Sequence, residues 1–274
     1  MGGRCLISSA RGGGIDLPQE PPSPKGERWT MRIVYYLPGP MSRGPLGPEE
    51  LVRRGAYLTQ AAFQSTELEV RESDVGPSSI ESSAEEYLSI PATLEAAPRL
   101  EAEGFDAMII GCFGDPGLAP TRELVGIPVI GPGQASALAA AQVGQRFAII
   151  TVVDEVVPAI RRQMRSYGLE GLVSDIRAVD VPVLELRERA DEVLGTLELE
   201  AHAALQTGAD TLILGCMTMG FLDVARALQD RIGVPVINPV LASLKAAESA
   251  ISIGLCSSRQ AYPRPRKTID SLVS

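Results

Sequence analysis

Two stretches of this chain, GFDAMIIGCFGDPG (104–117) and GADTLILGCMTMGF (208–221), can be laid on one another without a gap. Gly104, Asp106, Gly111 and Cys112 then fall on Gly208, Asp210, Gly215 and Cys216, a constant 104 residues apart. The match resumes where IPVIGP (127–132) meets VPVINP (234–239) and runs on into ASAL against ASLK. A repeat that preserves an apolar run, a glycine, a cysteine and a following proline-bearing run marks a duplicated supersecondary unit. The chain is therefore predicted to fold as two pseudo-equivalent halves.

Short β-branched runs alternate with longer amphipathic stretches from Met31 onward, the pattern of parallel strands joined by crossover helices. Eight strands are predicted, at 32–37, 66–71, 106–111 and 127–130 in the first half and at 146–151, 174–180, 210–215 and 234–237 in the second. Asp154 is placed to cap a helix over 155–167, Pro91 suits a helical first turn, and Gly168 and Gly208 stand where helices should stop. Pro98 implies a kink or break near 97. The expected fold class is α/β, with two pseudo-symmetric doubly wound lobes that each carry a four-stranded parallel sheet. Ligands of such sheets sit beyond the carboxyl ends of the strands, and both repeated cysteines lie there, so the site is expected in the cleft between the lobes.

Residues 1–30, rich in Gly, Pro and Ser, read as a disordered leader without the apolar core of a signal peptide. Leu6 stands where a myristoylation signal needs Ser or Thr, and Cys5 is discounted with the leader. The remainder, in a chain that is 45 % hydrophobic and 22 % charged, has ample material for two cores. A formal net charge of −9 excludes a nucleic-acid partner, which requires a concentrated basic surface. No apolar run is long enough to span a bilayer. Four cysteines without metal-ligand spacing or disulfide-scaffold density fit a reducing cytoplasmic setting. No cofactor or metal is expected; the expected partners are a small-molecule substrate and further copies of the same chain.

Each repeated cysteine follows an apolar strand and a glycine and precedes a predicted helix. Backbone N–H groups of such a turn favour negative charge, so a thiol there is expected to have its pKa drawn down from about 8.5 toward neutrality. Inverting a carbon next to a carbonyl needs a base on one face and an acid on the other. Two thiols meet that need without a metal, and their roles reverse for the opposite enantiomer.

GCFGDPGL around Cys112 and LGCMTM around Cys216 resemble the two cysteine motifs of the Asp/Glu/hydantoin racemase family, in its hydantoin and allantoin branch. GPSSIES (76–82), IPVIGPGQAS (127–136) and the tail segment AYPRPR extend the resemblance from Met31 to Arg266. Amino-acid racemases of the superfamily are less similar, since they favour Asn and Thr directly after the first cysteine. The resemblance implies that Cys112 and Cys216 abstract and return a Cα proton. It implies substrate contacts from the backbone amides of Phe113, Gly114, Asp115, Met217 and Thr218, and a lining role for Ser79. It also places the helix following the fourth strand of each half across the other half. The lobes are accordingly expected as 31–133 plus 239–274 and 134–238. One departure stands out: Leu37, Pro38 and Gly39 replace an Asn-Pro-Asn-like turn, which removes a polar substrate anchor.

Other polar groups have simpler readings. Cys256 reads as a small core residue, His202 as a solvent-facing position in a helix over 184–206, and LRERADE (186–192) as a solvated helix face. Asp106 and Asp210 suit turns or caps at the start of their strands, and Asp115 in Asp-Pro-Gly suits a turn. Gly131 and Gly133 lack the spacing of a dinucleotide fingerprint. The leading expectation is a cofactor-independent racemase or epimerase acting on a hydantoin-like derivative. The alternatives are a same-superfamily isomerase or decarboxylase using one thiol, and a protein that binds a small ligand without catalysis.

Overall fold

The computed structural model describes residues 30–267, so Cys5, nearly all of the predicted leader and the last seven residues lie outside the described residues. All eight predicted strands form: β1 (Met31–Leu37), β2 (Thr66–Glu72), β3 (Ala107–Ile110), β4 (Val129–Ile130), β5 (Phe147–Thr151), β6 (Val173–Ala178), β7 (Thr211–Leu214) and β8 (Val236–Ile237). They make two four-stranded sheets, in the orders β2-β1-β3-β4 and β6-β5-β7-β8, with every pairing parallel. The identical orders express the duplication as a doubly wound topology used twice.

The described helices are α1 (Glu49–Ala61), α2 (Ser83–Ala102), α3 (Leu118–Leu124), α4 (Pro132–Val143), α5 (Val157–Ser166), α6 (Ala190–Gln206), α7 (Met217–Phe221), α8 (Ala225–Ile232) and α9 (Pro239–Ser252). Helices cover both faces of each sheet, which is why the central strands are apolar throughout rather than alternating. Ile33, Tyr35 and Ile109 face α1 and α9, whereas Val34, Tyr36 and Met108 face α2 and α3. In the second sheet Ile150 and Leu214 face α6 and α8, and Ile149 and Ile213 face α4 and α5. The two proline-started helices, α4 and α9, pack against each other, α9 lying on β1, β3 and β4 and α4 on β5, β7 and β8. Among the described residues no helix is long and apolar enough to cross a membrane.

The residue following each repeated cysteine leads into the opposite core. Phe113, after β3, packs with Phe147, Ile149, Ile160 and Met164 of the second half. Met217 and Phe221, after β7, pack with Tyr35, Leu58 and Leu244 around the first sheet. Tyr35 and Tyr57 meet the Phe221 ring edge-on at 5.6 and 5.5 Å.

Several local expectations are corrected. Asp154 begins a short 3-10 turn, and α5 starts without a side-chain cap because Pro158 already holds its first turn in helical geometry. Pro91 lies in the middle of α2, which begins earlier in a variant capping box: the Ser82 hydroxyl accepts from the Glu85 amide, and the Glu85 carboxylate accepts from the Ser82 hydroxyl and the Glu81 amide. The break expected at Pro98 does not occur. Burial of Ala92, Ala96, Ala97 and Leu100 keeps the helix continuous through both prolines. The helix expected over 184–206 begins only at Ala190, so LRERADE straddles a turn that buries Leu186 completely. Gly168 and Gly208 do follow helix ends, with φ of 73° and 90°. Asp106 and Asp210 tie down the start of the neighbouring central strand: Arg32 N–H donates to Asp106 at 2.8 Å, and Gln145 N–H to Asp210 at 2.8 Å.

Candidate active site

Both thiols are carried by the same local device. Gly111 N–H donates to the Tyr36 carbonyl and Gly215 N–H to the Ile150 carbonyl, each at 2.7 Å, so the chain leaves β3 and β7 pressed against the central strand. A β-carbon at Gly111 would stand 2.9 Å from the Tyr36 oxygen, and one at Gly215 would stand 2.8 Å from the Ile149 side chain, which is why both positions are glycine. Hydroxyls from the central strands complete the match: Tyr35 donates to the Gly111 carbonyl at 3.4 Å and Thr151 to the Gly215 carbonyl at 3.2 Å. Cys112 and Cys216 follow directly, and both line one cleft between the halves with a cavity of about 100 Å³.

The two surroundings differ beyond that point. Cys216 is the residue preceding α7, so the amides of Thr218 and Met219 lie next to its sulfur. Cys112 opens a turn in which Asp115 and Gly117 adopt φ of 53° and 72°, and α3 begins only at Leu118. The turn amides do favour both thiolates, but the net fall toward neutrality does not occur. Burial pushes both thiols above the ordinary range, and the nearby amides only partly oppose it. At Cys216 the Arg54 charge also works against burial, whereas at Cys112 the carboxylates of Asp115 and Glu86 and the Cys216 thiolate add to it.

Phe113, Gly114, Met217, Thr218 and Ser79 all line the cleft. Asp115 does not belong to that lining. Its amide donates to the Cys112 carbonyl at 3.1 Å, and its carboxylate accepts from the Gly133 and Gln134 amides and the Tyr167 hydroxyl at 2.9, 2.8 and 2.6 Å. Asp115 thus fastens the Cys112 turn to the start of α4, consistent with the turn reading of Asp-Pro-Gly. Burial raises its carboxyl to about 6 despite those bonds. Leu37, Pro38 and Gly39 form an apolar wall of the cleft, and a β-carbon at Gly39 would fall 1.8 Å from the Pro77 oxygen. His202 is solvent-exposed on α6 and does not line the cleft.

Two cleft residues carry no signal in the repeat. Arg54 of α1 is 0 % exposed, with its Nε donating to Glu50 and its Nη2 to the Thr218 hydroxyl, both at 2.8 Å. Glu50 also receives Arg53 at 2.6 Å and Arg187 at 3.5 Å. Burial alone would push the Glu50 carboxyl up, but the bonds from Arg53 and Arg54 hold it below its ordinary value. The signal available was the spacing of Glu50, Arg54 and Leu58, which puts a charged pair on the buried face of α1. Gln163 of α5 donates from Nε2 to the Phe113 carbonyl at 2.7 Å.

The model of the family described as Asp/Glu/Hydantoin racemase matches residues 44–247. A hydantoin racemase of Rhizobium meliloti is 41% identical over 194 residues, covering 69% of this chain and 79% of the relative. A hydantoin racemase of Pseudomonas sp. (strain NS671) is 34% identical over 209 residues, covering 76% and 83%. Among solved structures, the allantoin racemase from Klebsiella pneumoniae superposes with a TM-score of 0.78 at 30% identity, covering 87% of this chain and 95% of that one.

Proposed function

Since this chain belongs to the Asp/Glu/hydantoin racemase family, we propose that it inverts the acidic Cα of a small, hydantoin-like derivative with Cys112 and Cys216 as the acid–base pair. The chain is an isomerase of the racemase type. What supports the two-thiol mechanism is one observation: sulfurs at matched strand ends of two equivalent sheets line a single cleft. One cysteine, as thiolate, takes the Cα proton from one face of the substrate. The electron pair left on carbon delocalises onto the adjacent carbonyl, and the other cysteine, as thiol, returns a proton to the opposite face. The opposite enantiomer uses the same groups with roles exchanged.

Both proton transfers are carried by the chain itself, so the reaction as proposed calls for no cofactor. Burial makes each thiolate scarcer at neutral pH and, by the same measure, a stronger base toward a carbon acid. The amides of Gly114 and Thr218 lie against the sulfurs, so the amides of Phe113 and Met217 are assigned to a substrate carbonyl, with Ser79 on the cleft wall. In this reading one lobe comprises 31–133 with 239–274 and the other 134–238.

The test is exchange in deuterated water with one enantiomer of a 5-monosubstituted hydantoin. Deuterium is expected at the chiral carbon as optical rotation decays, and Cys112→Ala and Cys216→Ala are each expected to abolish the decay. Full racemisation by either variant ends the two-thiol mechanism.

A further inference from the structure

Among the described residues, two buried side-chain nitrogen or oxygen atoms have no hydrogen-bond partner, Arg54 Nη1 and Gln163 Oε1, and both residues line the cleft that holds the thiols. An unpartnered buried polar atom is costly, and native structures retain one where something else completes it. The two are opposite in kind, one a donor and the other an acceptor. They are also placed in mirrored fashion. Arg54 comes from the first half and holds Thr218 beside Cys216, while Gln163 comes from the second half and holds Phe113 beside Cys112.

Their orientations are set by their other partners. The Arg54 guanidinium lies over the Phe221 ring at 4.7 Å, with Nε on Glu50 and Nη2 on Thr218, so Nη1 is the atom left over. Its neighbour Tyr35 directs its hydroxyl proton to the Gly111 carbonyl, with the hydroxyl oxygen turned toward the Arg54 guanidinium. The Gln163 amide cannot be turned round, because its Nε2 stands between two acceptors, the Phe113 carbonyl and the Asp115 carboxylate. Oε1 is therefore the acceptor left over.

We propose that Arg54 and Gln163 form a donor–acceptor pair that recognises an amide edge of the substrate, Arg54 Nη1 donating to a ring carbonyl oxygen and Gln163 Oε1 accepting from a ring N–H. This deepens, and rests on, the reading of the cleft as a racemase site for a hydantoin-like compound. Such a ring is a cyclic ureide that carries both groups next to its acidic carbon. The pair also supplies polar anchoring that Leu37, Pro38 and Gly39, elsewhere in the cleft lining, withhold.

The experiment is calorimetric titration of the wild-type protein, Gln163→Leu, Arg54→Lys and Arg54→Met with 5,5-dimethylhydantoin and its two mono-N-methyl forms. That ring has no proton at the quaternary carbon, so binding is read apart from turnover. One of the two N-methyl forms is expected to bind the wild type about tenfold more weakly than the parent ring. Gln163→Leu is expected to weaken the parent ring by a similar factor and to erase the difference between it and that N-methyl form. Arg54→Lys is expected to keep part of the affinity that Arg54→Met loses. Absence of binding to the wild type, equal affinity for all three rings, or an equal loss for all three in Gln163→Leu would overturn the pair. The Gln163 arm stands even if Arg54→Met fails to fold. Deuterium exchange with a 5-monosubstituted hydantoin, run in parallel on the wild type, separates failure of the pair from failure of the racemase reading.

Discussion

At the scale of single residues, two cysteines that look interchangeable in the repeat are chemically unequal. Cys216 is buried and Cys112 half-buried, and Cys216 has two amides and the Arg54 guanidinium favouring its thiolate, while Cys112 has one amide opposed by Asp115 and Glu86. Cys216 is therefore expected to ionise first as pH rises. Iodoacetamide labelling followed at the two peptides should give a lower pH midpoint for Cys216 than for Cys112, and the reverse order would contradict this account of the electrostatics. The cysteines themselves were legible because a strand, a glycine and a thiol recur at fixed spacing. Their environments were not, because Glu86 and Gln163 reach the cleft from helices whose packing no local pattern reports, and the spacing that buries Arg54 on α1 does not say which cleft it enters. Burial decides the balance: a turn amide pulls a thiol pKa down, but removal from water pushes it up by more.

At the scale of elements, the strands were readable because each is a short apolar or β-branched run closed by a turn residue, and parallel pairing makes such runs nearly continuous. The helix starts were less so. At α2 a capping box at Ser82 outweighed the proline signal at Pro91, and at α6 the burial of Leu186 in a turn delayed the start to Ala190. The junction of the Cys112 turn with α4 rests on Asp115, whose carboxyl is raised to about 6 against an ordinary value of 3.8. The folded chain thus holds this proton more tightly than the unfolded chain. The group's contribution to stability is fully present below about 3.8 and is lost as pH rises through about 6. Urea unfolding of the wild type and Asp115→Asn across pH 4 to 7 should therefore show the wild type's advantage over the variant shrinking as pH rises. An advantage that grows with pH would mean the carboxylate is favoured by its surroundings instead.

At the scale of the whole molecule, duplication predicts two lobes, and two equal four-stranded sheets are observed. The repeat did not reveal that the segments after the cysteines are exchanged, Phe113 being buried in one core and Phe221 in the other. Arg53 strengthens the exchange by donating to the Phe221 carbonyl at 2.9 Å. The halves should consequently lose structure together. Urea denaturation followed by far-ultraviolet circular dichroism is expected to give one transition, and Phe221→Ala to lower its free energy by about 3 to 5 kcal/mol. Two resolved steps would indicate that each half stands alone.

The crossed phenylalanines also limit how the molecule can admit a guest. A jaw-like hinge would have to draw an aromatic ring out of its socket on each side, at a penalty comparable to deleting it. The gape between the sulfurs is thereby held nearly constant, and tolerance for bulkier guests must come from trimming lining side chains such as Met41 or Ile80, not from wider opening.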